Sequence, residues 1–190
     1  MKKIIVATSN KHKLHEIQTI LGKPAVSCEL LVKEDGKTFE ANAIKKVKAI
    51  KLKPNQIAIA DDSGLCVDCL GGKPGVRSAR FATPATPENL CHKLLLALRR
   101  KQLAVSSKPL ARFVCVIAIK YPSGKIRTVK GVCHGKIIEE MRGDHGFGYD
   151  PVFVPTGYKK TFAEMKPATK NRLSHRGRAL KKLKKLISSV

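Results

Sequence analysis

Short apolar runs alternate along this chain with stretches where apolar residues recur every three or four positions, a pattern that predicts strands interleaved with helices. Lys2–Thr8 (KKIIVAT) reads as a buried strand. It turns through Ser9-Asn10 into a helix with Leu14, Ile17 and Leu21 on one face and Gly22 as its stop. A second helix begins after Gly36 with Thr38 as its N-cap and runs to about Leu52, ahead of Pro54. At about 100° per residue, Phe39, Ala43, Val47 and Ile50 share an arc of about 80°. Lys45, Lys48 and Lys51 fall outside that arc, as solvated lysines should. Lys46 falls on the apolar face, where it either carries its ammonium past the core to water or reaches into a polar pocket.

The next strand, Gln56–Asp62, ends in the carboxylate pair Asp61-Asp62 followed by Ser63-Gly64. Ligands of α/β sheets bind at the carboxyl ends of strands. Adjacent strand residues point to opposite faces, so only one of the two can face a given site; the alternative is that both cap the following loop. A strand that turns at once into a helix N-terminus, as at Thr8–Asn10, is a phosphate-binding geometry as well as an ordinary connection. Downstream comes a Gly-rich basic loop (GLCVDCLGGKPGVRSARFA) with Arg77 and Arg80. A helix opened by Thr86-Pro87 then carries Leu90, Leu94 and Leu98. Strands at Arg112–Lys120 and Ile126–Ile138 are joined at Pro122-Ser123-Gly124, a hairpin by its turn chemistry. Gly146–Pro151 (GFGYDP) combines glycines for close approach, aromatic faces for stacking and an acceptor in Asp150. Thr161–Glu164 has the pattern of a capping box, and Ser174 is the expected cap of a terminal helix whose apolar face is Leu180, Leu183 and Ile187. No internal repeat or linker is visible.

Composition narrows the class. At 190 residues, 43% hydrophobic and 27% charged, the chain suits one compact domain over 1–190 with a sizeable core. Its apolar runs, such as Val114–Ile119, are too short to span a bilayer. The N-terminal apolar stretch is too short for a signal-peptide core, so the expectation is a cytoplasmic protein with reduced cysteines. The six cysteines include a lone C-x-x-C (Cys66, Cys69) without a second pair or matching histidines, so zinc is not expected. Lys plus Arg total 38 against 14 Asp plus Glu, a net charge of +24. That surplus attracts any polyanion, yet the lysines are spread along the chain, densest at Arg176–Lys185, with little aromatic interleaving for base stacking. The expectation is a basic bias plus a phosphate site, with nucleic acid met only non-specifically. Against this background three acids within Asp61–Asp68 stand out.

Taken together, five blocks resemble the inosine triphosphate pyrophosphatase family, enzymes that remove non-standard purine nucleoside triphosphates. They are ATSNKHKLHEI (Ala7–Ile17), KEDGKTF with NAIKK downstream (Lys33–Lys46), IADDSGLCVDCLGGKPGVRSARF (Ile59–Phe81), GFGYDPVF (Gly146–Phe153) and AEMKPATKNRLSHRGRAL (Ala163–Leu180). They occur in family order and cover most of the chain. The resemblance implies an elongated α/β fold: a central mixed sheet flanked by helices, in two lobes with the nucleotide cleft between them, usually as a homodimer. It implies a Mg²⁺-dependent pyrophosphohydrolase acting on dITP, ITP and XTP. Within it, Thr8, Ser9, Asn10 and Lys13 match the triphosphate cradle, and Lys46 matches a phosphate-site lysine, which resolves its place on the apolar face. Glu34 and Asp62 match the metal-holding acids, Asp62 being also the base for the attacking water, and Ser63 a substrate contact. Phe147, Gly148, Tyr149 and Asp150 match the segment on which the base stacks; Lys170, Ser174, His175 and Arg176 match its edge-reading set.

One departure is visible. Many relatives carry Glu immediately before the Asn-Ala of the second helix, where this chain has Ala41 and places Glu40 one residue earlier, turned by about 100°. Two alternatives accompany the main reading: the same fold acting on another modified nucleoside triphosphate, and a basic nucleic-acid-binding protein that has lost turnover.

Overall fold

In the computed structural model, which describes residues 3–101 and 109–188, six strands and five α-helices follow one another as β1 (Lys3–Ala7), α1 (Lys11–Leu21), β2 (Ala25–Cys28), α2 (Phe39–Lys48), β3 (Gln56–Val67), α3 (Pro87–Arg99), β4 (Leu110–Lys120), β5 (Ile126–Ile137), β6 (Phe153–Pro155), α4 (Pro167–Leu173) and α5 (His175–Ser188). The strands form one mixed sheet in the order β2-β1-β3-β4-β5-β6. β1 runs parallel to β2 and β3, pairing Ile4 with Ala25 and with Ile57, and β6 runs antiparallel to β5. The α/β reading and the mixed sheet are as expected. Among the described residues no helix is long and apolar enough to cross a membrane.

The chain divides into two compact units, each assembled from separate segments: 1–62, 115–131 and 175–190 in the first, 63–114 and 132–174 in the second. In the first, Ile4, Val6, Ile57, Ile59, Ile117 and Ile119 from the strands meet Ile17 and Leu21 of α1 and Leu180 and Leu183 of α5. Helix α1 packs against α5. Gly131 of β5 lies so close to α5 that a Cβ there would strike the His175 carbonyl and the Ala179 backbone. On the other face of β5, Thr128 donates to Glu40 of α2 at 2.6 Å. The second unit is centred on Phe113, Phe153 and Phe162, whose ring centroids lie 4.7 to 6.0 Å apart. Leu90, Cys91, Leu94 and Leu98 of α3 pack against that cluster.

The stop at Gly22 and the caps at Thr38 and Thr86 fall where the sequence places them. Asn10 accepts the Lys13 N–H at the start of α1, and Gly22 ends that helix at φ +62°. Thr38 and Thr86 cap α2 and α3. The differences are instructive. The strand expected at Lys2–Thr8 is β1, and Lys2 lies outside the described residues. α2 ends at Lys48 rather than about Leu52, with Ala49 as its C-cap. β3 does not stop at Asp62 but runs on through Ser63-Gly64 to Val67. Gly64 permits this, since a Cβ there would meet Ser78 and the Gly75 carbonyl. The capping box at Thr161–Glu164 is present but opens a single 3-10 turn, Phe162–Glu164, not an α-helix. β2, β6 and α4 are too short to leave a readable period.

Candidate functional site

In the first unit the alternation of an extended strand separates two neighbouring carboxylates. Asp61 points toward α1 and α5, where it meets Lys13 Nζ at 3.1 Å and Arg176 Nη2 at 3.2 Å. Asp62 points the other way, toward α2, where its Oδ2 accepts from Asn42 Nδ2 at 2.9 Å. Both are almost wholly buried. Their electrostatics diverge. Burial alone would raise the Asp61 carboxyl, but Lys13, Arg176 and Lys46 overcome it and hold the group well below the usual carboxylate range. At Asp62 burial prevails over the opposing pull of Lys46 and the Asn42 hydrogen bond, and Glu34 adds to it, so that carboxyl is raised. One aspartate is a fixed anion and its neighbour has an enhanced affinity for a proton. That divergence is the mark of a group suited to proton transfer.

Around Asp62 the expected residues converge. Lys46, the lysine on the apolar face of α2, is only 11% exposed in its side chain and reaches Glu34 Oε1 at 3.2 Å. Its charge acts on Asp62 as well. Lys13, from the first turn of α1, acts on both aspartates. The Thr8–Asn10 turn precedes it: Asn10 N–H donates to Thr8 Oγ1 at 3.1 Å while the Asn10 side chain caps the helix, and Ser9 is exposed. Glu40 does not replace the acid missing at Ala41. It is turned away and accepts from Thr128.

Asn42 is the residue that reading the sequence overlooked. It is fully buried, and besides holding Asp62 its Oδ1 accepts the Gly36 N–H at 2.8 Å, tying the loop after Glu34 to the same carboxylate. Its signal was available: an asparagine on the apolar side of α2, about 40° from Lys46. Glu16 was overlooked too. It is the one acid of α1, buried, and accepts from Arg176 Nη1 at 2.5 Å.

The second unit holds another constellation. The Gly146–Asp150 loop folds back on itself, with Phe147 N–H donating to Asp150 Oδ2 at 2.8 Å. Lys170 Nζ meets the same oxygen at 2.8 Å and lies 4.7 Å from the centroid of the Phe147 ring. Gly146, at φ +84°, has no room for a side chain because a Cβ would strike Asp150 Oδ2. Gly148 is the second left-handed glycine, at φ +64°. Ser63 opens this unit, half-buried on β3, and Ser174 ends it, buried behind α4.

Two expectations are revised by position. Tyr149 offers no stacking face: it is 3% exposed within the apolar cluster, and its hydroxyl donates to the Ser78 carbonyl at 2.9 Å. Phe147 stays half-open, whereas Tyr149, reached past the left-handed Gly148, is turned inward. The edge-reading set is also divided. Lys170 and Ser174 belong to the second unit, whereas His175 and Arg176 open α5 in the first. The Arg176 fork, expected to meet a base edge, is occupied by Glu16 and Asp61. A fully buried guanidinium needs such anions to remain in place.

Among the described residues no three His, Cys, Asp or Glu side chains form a ready-made metal cage. Glu34 and Asp62, both acting on Lys46, are the oxygen donors at hand. A pair of carboxylates completed by water and substrate phosphate is the usual way in which proteins bind Mg²⁺, so the donor set fits that ion.

Comparison with known proteins gives a consistent picture. The model of the Ham1 family matches residues 4–186. The chain is 44% identical over 196 residues to a dITP/XTP pyrophosphatase of Desulforamulus reducens, covering 99% of this chain and 96% of the relative. It is 46% identical over 191 residues to a protein of the same name from Synechocystis, with 96% and 94% covered. Among solved structures it is similar to a HAM1 protein of Coxiella burnetii, with a TM-score of 0.86, 35% identity and full coverage of both chains.

Proposed function

The chain belongs to the Ham1 family, and from that membership and the geometry of its buried acids we propose that it hydrolyses non-standard purine nucleoside triphosphates (dITP, ITP and XTP) to the monophosphate and pyrophosphate. The observation that carries this reading is Asp62, a buried carboxylate raised by its surroundings, held by Asn42 and flanked by the charges of Lys46 and Glu34.

Cleavage between the α- and β-phosphates asks for charge neutralisation and a water placed and deprotonated in line. Asp62 takes the proton from that water onto its carboxylate. Asn42 fixes the orientation in which it does so. Lys46, Lys13 and the Thr8–Asn10 turn at the start of α1 meet the phosphate oxygens, as lysines and a helix N-terminus can. Glu34 and Asp62 would hold Mg²⁺, which when bound neutralises phosphate charge and polarises the bond to be broken.

The base end rests on Phe147, Asp150, Lys170 and Ser174. Hypoxanthine and xanthine carry a 6-oxo acceptor where adenine carries a 6-amino donor. An ammonium donates and cannot accept, so Lys170 suits the oxo group and leaves adenine's amine facing a like donor. A buried polar group left unpaired costs about 1–3 kcal/mol, which corresponds to roughly tenfold to hundredfold discrimination. In this reading Arg176 anchors the acids instead of reading the base. The same reading places the protein with the nucleotide pool in the cytoplasm, as a homodimer.

The test is initial-rate release of pyrophosphate from dITP, XTP, dATP and dGTP, with Mg²⁺ and with chelator. We expect one pyrophosphate per monophosphate, dITP and XTP at least tenfold above dATP, and no turnover in chelator. Release of inorganic phosphate, or equal rates on dATP, would sink the proposal.

A further inference from the structure

Tyr149 presents a contradiction that packing alone does not resolve. Its ring lies within the second unit's apolar cluster beside Val152, Phe153 and Phe162, where a phenylalanine would fill the same space. Burying a phenol there is unfavourable unless its hydroxyl is hydrogen-bonded. It is bonded, at 2.9 Å, to the carbonyl of Ser78, seventy-one positions away in the chain. Ser78 is itself fixed: its Oγ accepts the Leu65 N–H of β3 at 2.9 Å and donates to the Gly75 carbonyl at 2.6 Å.

The loop needs such a hold. Phe147 is flanked by Gly146 and Gly148, both left-handed, and a Gly-Phe-Gly run has little stiffness of its own. Its internal tie, Phe147 N–H to Asp150, sets the loop's shape but not its place. Cys91 Sγ, 3.5 Å from the Gly148 carbonyl, is a weak second contact. Besides the Lys170–Asp150 ion pair, which ties the end of the loop to α4, the strong external bond nearest to Phe147 comes from Tyr149, the first non-glycine residue after it.

We propose that Tyr149 is a positioning residue whose hydroxyl, through the Ser78 carbonyl, fixes the loop on which Phe147 and the Asp150–Lys170 pair present themselves to the base, so that base selectivity depends on it. This rests on the reading of the second unit as the base end.

The test compares Tyr149→Phe with Ser78→Ala. The first removes the hydroxyl and keeps the ring. The second removes the bond to β3 but keeps the carbonyl that Tyr149 uses. A neutral hydrogen bond contributes about 0.5–1.5 kcal/mol, so the loss should amount to about 2- to 13-fold. Hydrogen exchange of the 145–152 segment should quicken by such a factor in Tyr149→Phe, with only the small fall in unfolding midpoint that the loss of one such bond implies. kcat/KM for dITP should fall similarly through KM, with dATP unaffected, so the dITP/dATP ratio narrows. Ser78→Ala should lower the unfolding midpoint and narrow that ratio less than Tyr149→Phe does, because the carbonyl that Tyr149 uses is still present. The proposal is overturned if exchange in Tyr149→Phe is unaltered, if both nucleotides lose equally, or if Ser78→Ala narrows the ratio as much. Exchange is read without turnover, so a wild-type protein inactive on every nucleotide would defeat the functional reading while the tether is still judged.

Discussion

Replacing Asn42 by alanine tests the core of the catalytic reading with little disturbance to the helix that carries it. The side chain is fully buried in α2 between Ala41 and Ala43, and alanine is the best helix former, so the helix itself should not suffer. What is lost is the amide that donates to Asp62 Oδ2 at 2.9 Å and accepts from Gly36 N–H at 2.8 Å. A hydrogen bond to a charged group contributes about 1.5–3 kcal/mol, and about 1.4 kcal/mol is a factor of ten, so kcat for dITP should fall by roughly 10- to 150-fold. Asn42→Asp separates the two roles. It keeps an acceptor for Gly36 but sets a second carboxylate against Asp62, and should lose at least as much turnover. The assay is initial-rate pyrophosphate release at saturating dITP, with the unfolding midpoint recorded for each variant. If Asn42→Ala stays within twofold of wild type, Asp62 does not depend on that amide and the orientation argument fails.

The other predictions concern the charges. Asp62→Asn should lose about 10² or more in kcat, the scale of general acid–base catalysis; near wild-type turnover would remove Asp62 as base and metal ligand together. Lys46→Ala should raise KM for nucleotide while leaving the unfolding midpoint close to wild type, because its partner Glu34 is a third exposed and can turn to water; unchanged kinetics would mean the lysine serves only the fold. Arg176→Ala strips a buried cation from Glu16 and Asp61 and should cost about 3–5 kcal/mol of stability, as removal of one partner from a buried pair does. Because Asp61 is held below its ordinary value, its stabilising effect is complete above about pH 4 and fades as the pH falls toward the depressed value. The variant should therefore unfold at a higher pH on acid titration, and coincident acid-unfolding curves would refute this.

How much of this was legible depended on whether a feature was local. Caps and stops are decided within a few residues, so Gly22, Thr38 and Thr86 were readable at once. The alternation rule separated Asp61 from Asp62, since it follows from strand geometry alone. The end of β3 was not legible: Ser63-Gly64 reads as a turn, and only Ser78, packed against the missing Cβ of Gly64, shows why the strand continues. Short elements such as β2 and β6 owe their form to the pairing of Ala25 with Ile4 and of Pro155 with Gly135, partners that no window of sequence contains.

The two residues whose sequence role changed, Tyr149 and Arg176, share a cause. Each belongs to a motif in which neighbouring residues are read as one functional group, and each lies beside a residue directed elsewhere. In the GFGYD loop, Phe147 remains half-open while Tyr149 is drawn into the apolar cluster. At the start of α5, the helix turns each successive side chain by about 100°, which carries Arg176 inward to Glu16 and Asp61. A motif specifies which residue types are needed near a site, but the direction of each side chain is set by strand alternation, helical rotation and burial. Lys46 shows the converse. It was found because its direction on the helix conflicted with its charge, and Asn42, on the same side of the same helix, carried the same conflict in a neutral side chain. Polar residues that break an apolar face are therefore the stronger guide to this site, since burying them is costly unless a partner awaits, and here the partners are Glu34 and Asp62.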